Sequence, residues 1–430
     1  MRTGSWIARI ALSVALICAS ALAAWCQELP AADPAALGFS TVRLARLEGS
    51  LKGDVKAGRI PGAVVLVARH GKVAYFEAFG QQNPESGAPM RKDSIFRIYS
   101  MTKPIVSVAV MMLWEEGRFD LDDPISKYLP EFSHMQVAQV HKDASGKPSV
   151  VLEPAQGAPT IQQLLTHTGG LTYDILPRSP DYPVRQMYVD AGIGNPEDSL
   201  AELVAKLARL PLAYQPGTVW EYSRSVDVLA RLVEVVSGQS IDRFLASRIF
   251  VPLGMKDTGF WVPKDKLDRL AEGFANDPPP GSPMRNAAFR KIDVTKPPKL
   301  MSGNYGLVST AEDYTRFEQL LINGGTFNGV RILGPRTVAY ITSDQIGAIR
   351  GPIYAPGPGY GFGLGFAIRL TEGQAPFPGT VGDYGWVGIG GTIFWVDPKE
   401  DLTAVLMVQR IGSWVHYLRL IRTLVYQALN

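Results

Sequence analysis

The two ends of the chain carry the hydrophobic patterns of β-strands. Apolar residues recur at helical spacing over Thr41–Ala57, which predicts an opening helix. The next segment, Gly62–Phe79, is β-branched and aromatic on both sides of a turn at Arg69–Lys72, so it predicts a hairpin. Towards the C-terminus the pattern predicts three more strands, a turn joining the last two, and a closing amphipathic helix: Gly361–Ile368, Gly391–Val396, Leu402–Gln409, the turn Asp397–Asp401, and Trp414–Leu429.

The middle of the chain has helical spacing, and its connecting segments are rich in proline. A largely apolar helix is predicted over Ser100–Glu116, and a capping box from Ser309 to Glu312 opens a helix that ends at Ile322. Further helices are predicted at Ile161–Thr166, Leu200–Ala208, Val226–Ser237 and Ile241–Phe250, with a surface loop at Asp277–Pro283.

These patterns together predict one sheet built from both ends of the chain, with a second, mainly helical lobe inserted. We expect the sheet lobe at about residues 35–95 and 300–430 and the helical lobe at about 100–299, with a ligand cleft between them. The sequence contains no internal repeat, so residues 24–430 are predicted to form a single catalytic domain.

The N-terminus has the pattern of an export signal. Arg2 and Arg9 precede an apolar segment of about 15 residues that ends in Ala21-Leu22-Ala23, an A-x-A cleavage signature. A membrane anchor is the alternative, but about 20 apolar residues are needed to span a bilayer. We therefore expect residues 1–23 to be removed, and the rest to be periplasmic or secreted without stable membrane insertion. A lipid anchor on Cys26 is less favoured, because Trp25 occupies a position that needs a small residue.

Composition narrows the function classes. The 430 residues are 46% hydrophobic, enough for a large core, and 43 basic against 40 acidic residues give a net charge of +3 without a basic cluster, so no nucleic-acid partner is expected. The sequence has two cysteines, five scattered histidines and no HExxH pair. We therefore expect neither a metal nor a cofactor, and a small molecule as ligand.

A serine and a lysine at the start of the predicted helix 100–116 are the first candidate for chemistry. Ser100 and Lys103 lie three residues apart, which places them on one face of a helix. An amine beside a hydroxyl can take its proton if burial or positive neighbours lower the lysine pKa. Alone, however, an S-x-x-K spacing also fits a serine that caps a helix next to an exposed lysine.

Longer phrases around this pair carry a resemblance. They are the segment Phe96–Leu113, the phrases Leu121–Pro124 and Tyr128–Pro130, IQQLLTHTGGL at Ile161–Leu171, and the long run Pro216–Thr258. With them the sequence resembles the class C β-lactamase-like serine hydrolases, and more closely the family VIII carboxylesterases, over about residues 35 to 425. The resemblance implies an α/β (α+β) fold of the β-lactamase and penicillin-binding-protein type, in which helices flank an antiparallel sheet.

The resemblance also implies roles for three motifs. Ser100 becomes the nucleophile and Lys103 its helper. Tyr222, in Tyr222-Ser223-Arg224, becomes a phenolate-like general base. The third motif falls at Trp386-Val387-Gly388, where a glycine-rich strand lets a ligand approach the backbone, and the N–H groups of Ile389 and Ser100 become the oxyanion hole.

Two departures from the β-lactamase pattern bear on the substrate. Trp386 replaces a lysine that pairs with the β-lactam carboxylate, and this favours neutral esters with short acyl chains. Arg224 replaces an asparagine; it could contact an acid group, lower the Tyr222 pKa or point to solvent. Arg410 is a second candidate for a carboxylate. His167 is expected to hydrogen-bond loops rather than to form a catalytic triad.

The predicted function is a serine carboxylesterase that works through a Ser100 acyl-enzyme, with weak β-lactam hydrolysis as a possible side activity. A β-lactamase, a D-amino-acid peptidase or an acyltransferase would use the same intermediate. A non-catalytic exported protein that binds cell-wall peptides or acts as a ligand sensor is the alternative from another class. The presence of Ser100, Lys103 and Tyr222 together opposes it, since a pure binder need not keep all three.

Overall fold

The structure is a computed structural model that describes residues 29–142, 144–146, 148–177, 179–278 and 292–430. The export signal, its cleavage site and Cys26 lie outside the described residues, as does most of the loop predicted at Asp277–Pro283. None of the helices in the described segments is long and apolar enough to cross a membrane.

An antiparallel sheet of eight strands forms the centre of the fold. Its order is β10-β11-β12-β13-β14-β1-β2-β3, so strands from both ends of the chain meet where β1 pairs with β14. The described strands are β1 Gly62–Arg69, β2 Lys72–Asn83, β3 Ala88–Pro89, β4 Phe96–Arg97, β5 Gln136–Lys142, β6 Pro148–Pro154, β7 Val308–Ser309, β8 Thr326–Phe327, β9 Val330–Arg331, β10 Tyr360–Phe362, β11 Ala367–Arg369, β12 Tyr384–Val387, β13 Ile393–Asp397 and β14 Leu402–Val408.

Helices cover both faces of this sheet. The described α-helices are α1 Thr41–Lys56, α2 Thr102–Glu115, α3 Ile161–Leu165, α4 Pro183–Asp190, α5 Leu200–Leu207, α6 Ser225–Ser237, α7 Ile241–Leu245, α8 Val251–Leu253, α9 Ala311–Ile322, α10 Pro335–Ile341 and α11 Trp414–Tyr426. A π-helical turn over Ala246–Phe250 joins α7 to α8, and short 3₁₀ turns lie at Pro34–Leu37, Tyr99–Met101, Ile125–Lys127, Pro130–Phe132 and Lys264–Arg269.

The alternation of side chains along the central strands divides the core in two. On β1, Val65 and Val67 pack with α1 and α11 on one face, while Val64 and Leu66 join the larger cluster around α2, α6 and α9 on the other. Both faces are therefore apolar, and β1 is buried along nearly its whole length. The described residues form an antiparallel sheet flanked by helices, the arrangement that the resemblance implies.

The turn predicted between β1 and β2 has a simple physical basis. His70 and Gly71 both have positive φ angles, 54° and 69°, which a tight two-residue hairpin turn requires. The carbonyl of Asp401, in the turn before β14, accepts the N–H of His70 at 2.9 Å. The predicted hairpin is present, and β2 extends beyond Phe79 to Asn83.

Three expectations about local structure are wrong. The strand predicted at Gly361–Ile368 is a hairpin of β10 and β11, because Gly365 turns the chain with a φ of +96°. Helix α9 is capped by Thr310, whose hydroxyl accepts the N–H of Asp313, since Ser309 already lies in β7. The region predicted as helices and loops also holds the hairpin of β5 and β6, with an exposed outer strand.

Candidate active site

Ser100 lies in the 3₁₀ turn that leads into α2, and its side chain is nearly closed to solvent. The residue before it, Tyr99, has a φ of +45°, a conformation that a non-glycine residue adopts only when its surroundings impose it. The chain is held directly after Ser100 as well, because the hydroxyl of Tyr314 donates to the Met101 carbonyl at 2.9 Å. The position of the serine is thus fixed from both sides.

Lys103 lies on the face of α2 that meets Ser100. Its Nζ atom donates to the Oγ atom of Ser100 at 3.2 Å and to the carbonyl oxygen of Asn304 at 2.9 Å, and the residue is 1% exposed. Burial lowers the pKa of Lys103 well below its usual range; Asp227 opposes this effect and Arg224 adds to it. A neutral amine next to the serine hydroxyl is able to accept its proton.

Tyr222 lies beside the pair formed by Ser100 and Lys103. Lys103 Nζ lies 4.4 Å from the centre of the Tyr222 ring, and the indole N–H of Trp386 donates to the Tyr222 hydroxyl at 3.4 Å. Burial raises the pKa of Tyr222 to about 12, against the lowering effect of hydrogen bonds with Ser100 and Trp386. This direction favours the protonated phenol in the resting site, and the role of Tyr222 as a general base stays a prediction.

The third motif lies at the end of β12. Trp386, Val387 and Ile389 line the cavity beside Ser100, and the carbonyl of Ile389 accepts the N–H of Gly412 at 2.9 Å. The oxyanion role of the Ile389 and Ser100 N–H groups stays a prediction.

Gly388 lies in close contact with the segment that leads to Ser100. A side chain at this position would stand 2.4 Å from the carbonyl oxygen of Ile98 and 2.2 Å from the hydroxyl of Thr392. The bare backbone of Gly388 thus admits this segment, and its contact with a ligand stays a prediction.

Arg224 is buried, so the alternative of a side chain in solvent is wrong. Its Nε atom donates to Asp174 at 2.7 Å and its Nη1 atom to Asp227 at 3.2 Å, and both carboxylates are also closed to solvent. The residue lines the cavity, but its charge is opposed by the protein's own acids. Arg410 likewise pairs with a carboxylate of the chain, that of Asp277, at 2.9 Å.

His167 packs behind Tyr222 at the centre of an aromatic cluster. Its Nδ1 atom lies 2.9 Å from the Ser223 hydroxyl, and its ring lies 5.1 Å from that of Tyr222 and 5.9 Å from that of Trp220. Burial lowers the pKa of His167 well below its usual range, and Lys103 adds to this effect, so the ring is neutral. The side chain of His167 thus packs against the segment that carries Tyr222 and supports it.

A cavity of about 960 Å³ opens at these residues. Ser100, Tyr222 and Trp386 share its wall with apolar side chains from three distant segments, Ile175–Pro177, Ile353–Pro356 and the start of α11. Lys296 and Lys299 lie at its margin with largely exposed side chains. The described lining is thus mainly apolar with a smaller number of polar and charged groups, as in binding sites for small molecules.

Sequence reasoning missed three groups in this site: Asp174, Asp227 and the Asn304 backbone. Asp227 follows Tyr222 by five residues, and its place one turn into α6 could have singled it out as a group aimed at the site. Asp174 and Asn304 come from segments about 50 and 80 residues away from Tyr222, and nothing local in the sequence connects them to it.

An antiparallel sheet flanked by helices, with a buried serine and lysine one helical turn apart, defines a serine hydrolase of the β-lactamase type. The chain belongs to the beta-lactamase family, whose model matches residues 47–422.

Two sequences and one solved structure illustrate the relationship. The chain is 34% identical to Protein Rv1367c of Mycobacterium tuberculosis, over 84% of this chain and 89% of that protein. It is 32% identical to Esterase EstB of Burkholderia gladioli, over 87% of this chain and 93% of the esterase. The structure of EstCE1, a hydrolase with promiscuous acyltransferase activity, superimposes with a TM-score of 0.72 and 28% identity, covering 89% of this chain and 98% of EstCE1.

Proposed function

We propose that this protein is a carboxylesterase that hydrolyses neutral esters through an acyl-enzyme on Ser100. The observation that carries the proposal is the buried contact of 3.2 Å between Lys103 Nζ and Ser100 Oγ, with Tyr222 beside it. The similarity to Esterase EstB supports the choice of an ester over other acyl substrates.

The proposed reaction starts from a neutral Lys103 amine and a protonated Tyr222 phenol. Neutral Lys103 takes the proton of Ser100 while Oγ bonds to the ester carbonyl carbon, and the N–H groups of Ser100 and Ile389 receive the oxyanion. Tyr222 then gives its proton to the leaving alkoxide, and protonated Lys103 returns one to Tyr222. Water attacks the acyl-enzyme with the same groups in reverse, which releases the acid and restores the serine hydroxyl.

The charges in the cavity support a neutral substrate. Trp386 offers an apolar wall where β-lactamases carry a lysine, and the guanidinium of Arg224 is already paired with Asp174 and Asp227. A β-lactam or a peptide with a free carboxylate would therefore lack a free cation among the described side chains next to Ser100. Lys296 and Lys299 lie only at the exposed margin.

The cavity is larger than a short acyl chain requires, and this bears on the other side of the ester. Small-molecule sites enclose about 300–1,000 Å³, and this one, at about 960 Å³, lies near the top of that range. An acetyl or butyryl group would fill a small part of it. We therefore propose that one side of the ester is short and the other is a bulky apolar group.

Hydrolysis of p-nitrophenyl acetate and butyrate, and of a bulky apolar ester of each acid, tests this function on the wild type and on Ser100→Ala. We expect turnover and covalent labelling by a fluorophosphonate in the wild type only. Absence of both would refute the enzyme. Faster hydrolysis of a chromogenic cephalosporin than of every ester would refute the substrate class and favour a β-lactamase.

We also propose that the protein acts outside the cytoplasm, after cleavage near Ala23. The basic residues, the apolar segment and the A-x-A site in the sequence support this. The N-terminal sequence and cell fraction of the protein from an expressing bacterium test it. A full-length chain in the cytoplasm would contradict it.

A further inference from the structure

Arg224 stands in the motif next to Tyr222, but its side chain turns into the protein. Its guanidinium lies between Asp174 and Asp227, and the rings of Tyr173 and Tyr305 flank it at 4.6 Å and 5.1 Å. Two carboxylates and two aromatic rings of the protein thus engage this guanidinium. Its position suggests an effect on its neighbours.

One of those neighbours leads directly to Lys103. The Oδ1 atom of Asp227 accepts the hydroxyl of Ser302 at 2.6 Å and the backbone N–H of Asn304 at 3.2 Å. The carbonyl oxygen of the same Asn304 accepts the Nζ atom of Lys103 at 2.9 Å. Asp227 thus holds in place the residue that orients the lysine.

The segment between these contacts cannot move freely. A side chain on Gly303 would stand 2.6 Å from the carbonyl oxygen of Val226 and 2.7 Å from the Cβ atom of Ala230. The chain at Gly303 is therefore pressed against α6, which also carries Asp227. A change at Asp227 is transmitted to Asn304 because the two share this rigid contact.

We propose that Arg224 is a positioning residue: by pairing with Asp227 it sets the charge balance around Lys103, and it keeps the Asn304 carbonyl against the lysine. The inference rests on the proposed function, since it gives a role within the same reaction. It replaces the expectation that Arg224 binds substrate.

The electrostatic part follows from the groups that face Lys103. Asp227 raises the pKa of Lys103 and Arg224 lowers it, while burial, the largest effect, also lowers it. The titratable and charged groups that surround the lysine from the neighbouring elements are Tyr222, Arg224, Asp227, His167, Tyr173, Asp174 and Tyr305. His167 and the tyrosines are neutral, so the balance depends on Arg224 and the two carboxylates.

Two variants change this balance in opposite directions. Asp227→Asn removes the negative charge, while its amide oxygen is still able to accept from Ser302 and Asn304. The double variant Asp174→Asn/Arg224→Met removes one charge of each sign and leaves Asp227 unopposed beside Lys103. The acid limb of kcat/KM against pH should move to lower pH in the first and to higher pH in the second, where kcat/KM on that limb falls about tenfold.

The comparison of Arg224→Lys with the double variant separates this role from a structural one, because only the proposed role moves the midpoint in the double variant. Arg224→Lys keeps the charge and should keep the wild-type midpoint of the limb, even where it lowers the melting temperature. Arg369→Lys is the matched control, because Arg369 is equally buried and pairs with Asp383 at 2.7 Å, away from the Lys103 network. A purely structural Arg224 would lower stability in its variants without moving the midpoint.

The outcomes are distinct. If the wild type hydrolyses no ester and binds no fluorophosphonate, the proposed function fails. If the wild type is active but Asp227→Asn and the double variant move the limb in the same direction, or not at all, the positioning role is refuted and the esterase stands. Where circular dichroism shows that the double variant does not fold, Asp227→Asn decides: an unmoved midpoint overturns the proposal.

Discussion

The Nζ atom of Lys103 lies 3.2 Å from the Oγ atom of Ser100, and neither residue is more than 9% exposed. An ammonium group in such a place loses its hydration, and the hydrogen bonds of the amine go to one carbonyl and one hydroxyl oxygen. Burial therefore lowers the pKa of Lys103, which favours the neutral amine that the proposed reaction needs, and the raised pKa of Tyr222, about 12, favours the protonated phenol. These directions favour Lys103 as the base for Ser100, whereas the resemblance implies Tyr222 for that role.

Replacing the lysine should remove most of the activity while leaving the fold intact. In Lys103→Met the serine has no base, and we expect kcat/KM to fall on the order of 10²- to 10⁴-fold. Steady-state hydrolysis of p-nitrophenyl butyrate measures this, with Lys52→Met, at a largely exposed lysine, as control. Activity within threefold of the wild type in Lys103→Met would show that another group takes the proton.

The pH profile should have an acid limb and no alkaline one in the accessible range. The neutral form of Lys103 is the active one, so kcat/KM should be lost as the pH falls through the lowered pKa of this amine. On the alkaline side Tyr222 keeps its proton up to a pKa of about 12. Rates measured from pH 4 to 10 test both statements. A decline between pH 8 and 10 would contradict the role of Tyr222 as acid, and a rate that still rises steeply from pH 9 to 10 would contradict the lowered pKa of the lysine.

The sequence was informative where a pattern is local. The spacing in Ser100-x-x-Lys103 is one helical turn, which allows the contact, and the longer phrases around it favoured that reading over a capping serine. The β1–β2 hairpin follows from strand residues around a His-Gly turn. Hydrophobic patterns failed to predict elements that have no buried face. The strand β6 is exposed along its length, and without a buried face its residues lack the alternation that marks a strand.

Parts of the site were out of reach for another reason. Lys103 is oriented by the backbone carbonyl of Asn304. Because every residue has a backbone carbonyl, the residue type at position 304 does not indicate this contact. Arg224 reads as a ligand group in a motif because its partner Asp174 lies 50 residues away in the chain. Only the fold shows that the charge of Arg224 is paired with carboxylates inside the protein.

Gly388 should tolerate no side chain. In Gly388→Ala the new Cβ atom would meet the Ile98 carbonyl oxygen at 2.4 Å, so β12 and the Ser100 segment have to separate. We expect a loss of stability of about 1–3 kcal/mol and a lower kcat, because the proposed oxyanion donors, the N–H groups of Ser100 and Ile389, lie on these two segments. Urea unfolding and steady-state kinetics measure the two effects. The control is Gly373→Ala, at an exposed glycine with open space around it; equal behaviour of the two variants would refute the argument.

Glu318 should make the stability of the protein fall as the pH rises. The side chain is fully buried in α9 beneath the sheet, and burial raises its pKa well above the usual range, with Thr403 and Thr315 opposing in part. The folded state therefore holds this proton more tightly than the unfolded chain does. Its contribution is fully present below the unfolded pKa of about 4.5 and is lost as the pH rises through the folded pKa.

Glu318→Gln keeps the shape of the side chain and removes the titration. We expect its melting temperature to equal or fall below that of the wild type near pH 4.5 and to exceed it at pH 9, because the wild type must then bury a charge or take up a proton. Thermal unfolding followed by circular dichroism between these limits gives the comparison, with the exposed Glu153→Gln as control. A constant difference between Glu318→Gln and the wild type across this range would mean that Glu318 titrates alike in the folded and unfolded chains.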